Sequence, residues 1–216
     1  MKKISYLLAL FFVASVIFIS CRNDDDDNDP APSVTDEGVL IGEIDGTPIR
    51  WATRNVAAPG TFAPYPHSAG MFFQWNRRTG ISATTPGVGV EFPNWNATQA
   101  EGTTWARAND PCPQGWRVPT AAELYALSAA GSEWTNRSGV NGSYFGIGAN
   151  RIFLPASGLR GGFRGDMFHV GMSGIFWSST EDGSELARCL NFDSGGVRVS
   201  RRFWRSVGGS VRCVAE

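Results

Sequence analysis

Apolar and polar positions alternate most regularly toward the C-terminal end of the chain. Leu190 and Phe192 fall on one side of a period-two segment with Cys189 on the other, and Val197 and Val199 repeat the alternation against Arg198 and Ser200. Two strands separated by a Ser-Gly turn are predicted there. Nearer the start, Val39 to Trp51 carries Asp45-Gly46 between two apolar alternations, a pair that accepts positive φ at both turn positions and so predicts a hairpin. One helix is predicted to begin at Thr120. The run Thr120-Ala121-Ala122-Glu123 fits a capping box, Leu124 and Leu127 share a face, and Gly131 ends the run. Arg151 to Pro155 reads as a short strand and Gly158 to Gly174 as a long glycine-rich loop. Around Met71 to Asn76, Trp95 and Trp105 no helical period is present, so aromatic rings must supply the buried area.

At the very start, Lys2 and Lys3 precede an apolar run from Tyr6 to Ile19. That length after two lysines fits a signal-peptide core better than an uncleaved spanning helix. Ser20 before Cys21 resembles the lipobox of bacterial lipoproteins, which implies a leader over 1–20 and acylation of Cys21. Residues 21–37 hold Asp24 to Asp27, Asp29, Pro30, Pro32, Asp36 and Glu37, with Val34 the one sizeable apolar residue. Too little apolar area is available there to offset ordering entropy, and like charges extend the segment into a tether. An acidic stretch after an acylated cysteine also resembles the surface-export signal of Bacteroidota lipoproteins, implying an outer-membrane, cell-surface location. The four consecutive Asp lack the alternating spacing and bending glycine of a hand-type calcium loop. Residues 38–216 make one domain, rich in loops to judge from 26 glycines in 216 residues.

Charge narrows the partners. The only lysines are Lys2 and Lys3, so the 17 arginines carry the basic charge beyond the leader, and the formal net charge of the whole chain is −1. Glu181, Asp182, Glu185 and Asp193 lie among the C-terminal arginines, which argues against nucleic acid as a partner. His67 and His169 are far apart and no metal-type Cys/His spacing or nucleophile elbow accompanies them, so no metal, cofactor or catalytic group is expected. The unusual chemistry is Arg201-Arg202-Phe203-Trp204-Arg205. Buried, each Arg needs a partner; exposed, the rings leave apolar area in water. The run therefore reads as a contact surface, against the alternative of a solvated loop whose rings fold back.

Several motifs taken together resemble the Fibrobacter succinogenes major paralogous domain. They are Trp51 to Val56, Asp110 to Glu123, Phe153 to Gly158, Phe176 to Thr180 and Gly208 to Val214. The likeness implies an α+β, C-type-lectin-like fold with a small mixed or antiparallel sheet, one or two short helices and long loops. The two active-site cysteines of formylglycine-generating relatives and the calcium triplets of sugar-binding lectins are not recognisable. The tail, from Leu190-x-Phe192 to Arg205-x-x-Gly208-x-Ser210-Val211-Arg212-Cys213-Val214, resembles the variable region of ligand binders diversified by retroelements. That likeness implies variable, ligand-binding positions at Asp193, Gly196, Arg198, Ser200, Arg201, Arg202, Phe203 and Val207. Trp204 joins them from the aromatic run. The expected ligand is an extracellular protein or glycan, with a structural envelope or fimbria-associated subunit as the alternative.

With Cys21 acylated, three cysteines remain for at most one intramolecular disulfide. The family-like motifs imply Cys112 with Cys213, leaving Cys189 as a free thiol near the binding face. A Cys189 to Cys213 pair on neighbouring strands is the alternative.

Overall fold

The computed structural model describes residues 36–216. The predicted leader, Cys21 and the tether as far as residue 35 lie outside the described residues. Asp36 is already tied into the domain: its carboxylate accepts from the Gly38 amide at 3.0 Å and from the Thr53 amide and hydroxyl at 2.8 and 2.9 Å.

The strands run β1 (Val39–Ile44), β2 (Thr47–Trp51), β3 (Met71–Gln74), β4 (Ile81–Ser82) and β5 (Trp116–Arg117). The helix α1 (Ala121–Ala129) follows, then β6 (Ser132–Arg137), β7 (Val140–Ile147), β8 (Asn150–Pro155), β9 (Leu159–Arg160) and β10 (Met167–Phe168). The chain ends with β11 (Ser173–Glu181), β12 (Leu186–Asp193), β13 (Gly196–Trp204), β14 (Gly208–Gly209) and β15 (Val214–Ala215). They form four sheets, in the orders β1-β2-β15-β5, β10-β9-β14-β3-β4, β6-β7-β8 and β11-β12-β13.

The expected α+β, C-type-lectin-like class is overturned. Strands take 44% of the described residues and helix 7%, which is the all-β class. The physical reason is that segments without helical period, read as loops, close as strands. Ser138-Gly139, at φ 52° and 83°, turns β6 into β7 as Asp45-Gly46, at 51° and 77°, turns β1 into β2. Inside the Gly158–Gly174 stretch, β9 and β10 pair with each other. The helix is as its sequence predicts, with the Thr120 hydroxyl accepting from the Glu123 amide at 3.2 Å and the Glu123 carboxylate accepting from the Thr120 amide at 2.7 Å. Burial opposes charge on Glu123, but the Arg117 guanidinium and the Thr120 donors outweigh it and hold the carboxyl below its usual range.

β11 and β12 are covered on both faces. Phe176, Leu190 and Phe192 pack toward Leu124, Leu127, Phe145 and Trp51. Ile175, Trp177, Ala187 and Cys189 pack toward Trp75, Trp105 and the disulfide between Cys112 and Cys213. The Trp177 indole donates to the Phe73 carbonyl at 2.8 Å and the Trp75 indole to the Ser178 carbonyl at 2.9 Å, so each large ring is buried with its N–H satisfied. Cys189 does lie opposite Leu190 and Phe192, but its face is the inside of a second core. It is a buried thiol, not one near an exposed surface, and burial pushes its pKa up to about 12.

Three arginines are fully buried and satisfied mainly by carbonyls. Arg160 donates to Ser82, Thr85, Pro86 and Gly165 carbonyls, fastening the 82–86 and 161–166 loops to β9. Arg212 donates to the Asn55 amide oxygen and to the Ala52 and Phe153 carbonyls. Burial lowers its pKa to about 9, which still leaves the guanidinium charged at neutral pH. Arg205 stacks on Trp75 at 4.2 Å and donates to carbonyls of Ala100, Gly102, Gly183 and Leu186 and to Glu181. A rigid fork of five donors suits this task because its N–H groups fan out to acceptors on more than one segment at once.

Candidate ligand-binding face

β13 is the end strand of its sheet, pairing with β12 alone. Its register is Arg201 opposite Cys189 and Arg198 opposite Asn191, so Val199 and Ser200 together face Leu190 across a β-bulge. The bulge decides the chemistry of the face. Residues three apart on a regular strand point to opposite sides; the extra residue instead brings Arg198 and Arg201 to one side, where both line the same concavity.

That concavity holds about 430 Å³. Buried Leu159 and Ile175 and half-buried Phe203 give it apolar walls, and Asn191, Asp193, Arg198 and Arg201 bring polar groups from β12 and β13. His169 and Met172 from the turn before β11, and Ser173 at the start of β11, close it. His169 sits at φ 57°, and its carbonyl accepts from the amides of Met172 and Ser173 at 3.0 and 3.1 Å, which fixes that segment as a tight turn. Asp193 is bonded to Arg198 at 2.7 Å and accepts from the Gly195 amide at 2.8 Å. The Arg198 bond and then the Gly195 amide hold its carboxyl below the usual range. Arg201 is exposed and makes no ion pair or side-chain hydrogen bond among the described residues. One guanidinium is therefore ion-paired with a carboxylate and the other stands without a direct partner among the described residues, beside apolar walls. This arrangement suits a ligand with an acidic or hydrogen-bond-accepting group next to apolar surface.

Of the residues singled out from sequence, Gly196, Arg198, Ser200, Arg201, Arg202 and Trp204 are exposed and Asp193 and Phe203 half-buried. Arg202 faces away from the concavity and shares Asp182 with Arg188, at 3.0 and 3.4 Å. Trp204 meets Phe163 edge-on at 4.8 Å, and both rings remain exposed. Val207 does not belong to the face: it is 5% exposed within the disulfide core. Nor is the Arg201 to Arg205 run a continuous surface. Its side chains alternate as a strand dictates, with Phe203 packed inward and Arg205 buried. Asn191 was missed although it shares the period-two face of Cys189 and Asp193, a signal present in the sequence. His169 and Met172 gave no such signal, because the fold alone brings their turn to β13.

Among the described residues no cluster of His, Cys, Asp or Glu could hold a metal ion, and no helix is long and apolar enough to cross a membrane. Comparison with protein-family models, with curated proteins and with solved structures found no match to this chain.

Proposed function

We propose that this protein is a surface-anchored lipoprotein that binds an extracellular protein or glycan through the β12–β13 face. The observation that carries this reading is the bulge opposite Leu190, which pairs two guanidiniums over an apolar concavity on a strand at the sheet's edge. Lipidation of Cys21, an outer-membrane location, membership in the Fibrobacter succinogenes paralogous-domain family and retroelement diversification of the tail belong to the same proposal. They rest on the motif likenesses described above.

The test begins with surface extracts of neighbouring bacteria and host tissue passed over the immobilised domain. Affinities of any retained species are then measured against wild type and Arg198→Ala/Arg201→Ala. Truncating central anchors should cost about 2 kcal/mol or more of binding while leaving the melting temperature unchanged, since both side chains are exposed. Equal affinity for the two proteins would defeat the proposal. A second reading, a structural envelope or fimbria-associated subunit, is favoured by one feature: among the described residues the outer edge of β13 carries no partner strand and offers a template for strand addition. An envelope subunit whose binding survives the double substitution would move the assignment there. Sequencing the 3′ coding region across a cell population separates the readings again, because diversification predicts changes at codons 193 to 204 and none at buried Val207.

A further inference from the structure

A second cleft, of about 580 Å³, lies apart from Arg198 and Arg201. It runs between the 67–70 segment, Ala83-Thr84, the β6–β7 turn at Gly139 to Asn141, and the backbone at 156–157 and 170–171. Its volume is in the range of about 300–1,000 Å³ typical of small-molecule sites. No Asp, Glu, Lys or Arg lines it. Valines and alanines give it apolar walls, and His67, Ser68, Thr84, Asn141 and Ser157 supply polar groups for hydrogen bonding.

Two further observations point to a ligand. Ser157 is 7% exposed, and its hydroxyl is buried with no hydrogen-bond partner among the described residues. Such a group costs free energy until something bonds it, and serine's single χ angle lets the hydroxyl turn onto an arriving partner. The rim is also held in place in advance. Asn136 donates to the Asn141 amide oxygen at 2.9 Å, Asn141 donates to the Gly171 carbonyl at 3.0 Å, and the Gly171 amide donates to the Ala156 carbonyl at 2.8 Å. A Cβ at Gly139 or Gly171 would meet nothing within 4 Å, so the mouth is open at both glycines.

We infer that this cleft binds a small neutral sugar. Hydroxyl and amide side chains match sugar hydroxyls in both donor and acceptor roles. Val140 and Val170 offer apolar surface to the C–H face of a ring, and no Lys or Arg lines the cleft to hold an anion. This inference does not rest on the β12–β13 face, which has its own concavity.

The chain's two histidines report on the two sites separately, since His67 lines this cleft and His169 the concavity beneath Arg198 and Arg201. The histidine-labelled full chain is titrated by NMR with methyl α-glucoside, methyl α-mannoside, methyl β-galactoside and N-acetylglucosamine into the millimolar range. At least one sugar should move the His67 ring resonances saturably and by more than those of His169, whose neighbours Val170 and Gly171 also line this cleft. Ser157→Ala should keep the melting temperature, because no bond within the protein is lost, and weaken that sugar about tenfold. Val170→Arg, at an exposed position on the mouth, should block it. The inference is overturned if no sugar moves His67, if His169 responds in its place, if Ser157→Ala binds as wild type does, or if Ser157→Ala unfolds the protein.

Discussion

Replacing Arg205 by lysine keeps the charge and removes the fork. In the wild type, Nε meets the Leu186 carbonyl at 3.3 Å, Nη1 meets Ala100 and Gly102 at 2.7 and 2.8 Å, and Nη2 meets Gly183 and Glu181 at 2.6 and 3.1 Å. A lysine has one nitrogen with three donors on a point, so it cannot span five acceptors on two separate segments. At least two part-buried acceptors lose their donors, at about 1–3 kcal/mol each, and the stack on Trp75 is lost as well. Water reaching the 100–102 loop returns some of this, so the expected net loss is about 2–4 kcal/mol. For a domain of this size that lowers the melting temperature by roughly 5–15 °C. Urea unfolding of wild type, Arg205→Lys and Trp204→Ala, with the disulfide intact, provides the measurement. Trp204→Ala should lose only about 1 kcal/mol, the worth of its exposed edge contact with Phe163. If Arg205→Lys unfolds within about 0.5 kcal/mol of wild type, buried guanidiniums do not fasten these loops and the account given for Arg160 and Arg212 falls with it.

Reducing Cys112–Cys213 removes a cross-link spanning 101 residues; chemical denaturation should show a loss of about 4–5 kcal/mol on the chain-entropy model, and equal stability of the two forms would contradict it. Cys189 should resist thiol reagents in the folded protein and react once urea unfolds it; fast labelling of the native state would refute its burial. Its thiol, pushed up to about 12 by burial, stays protonated in the fold while the unfolded chain ionises from about pH 8.5. The unfolded state then holds fewer protons, so the cysteine's contribution to stability is intact below pH ~8.5 and falls by about 1.4 kcal/mol per pH unit above it. The difference between wild type and Cys189→Ala measured across that window isolates the effect from Arg212, and a flat difference would refute it. Cys21→Ala should release the protein from the membrane fraction, whereas unchanged fractionation without lipid in either form would end the lipoprotein reading.

What could be read from the chain was mostly local chemistry. Thr120 and Glu123 form their capping box, and Asp45-Gly46 its hairpin, because each depends on neighbours within a few residues. The Cys112–Cys213 pair was legible through motif likeness. What escaped depends on distant backbone. In β6 and β7 the alternation is hidden by Asn136, Asn141, Gly142 and Ser143, whose small or polar side chains pack into a sheet without advertising a hydrophobic face. Two cores cover β11 and β12, so Cys189, outward by period two, is inward by topology. Arg205 looked like surface because nothing adjacent could neutralise it; its acceptors come from the 100–102 and 181–186 segments. The expectation of one or two short helices came from the family likeness, and the described residues hold one α-helix, the one whose capping box the sequence shows.

The peptide bond between Trp204 and Arg205 separates two regimes of change. On its N-terminal side, exposed side chains answer to whatever the protein meets, and substitutions there alter recognition with small effects on folding. On its C-terminal side every residue through Val214 is buried, and Arg205 itself ties the 100–102 and 181–186 segments together. Any process that rewrites the 3′ end of the coding sequence therefore meets a border one codon wide. Variation that stops at 204 explores new surfaces on an unchanged scaffold, and variation that reaches 205 mostly yields chains that cells degrade before any ligand is encountered.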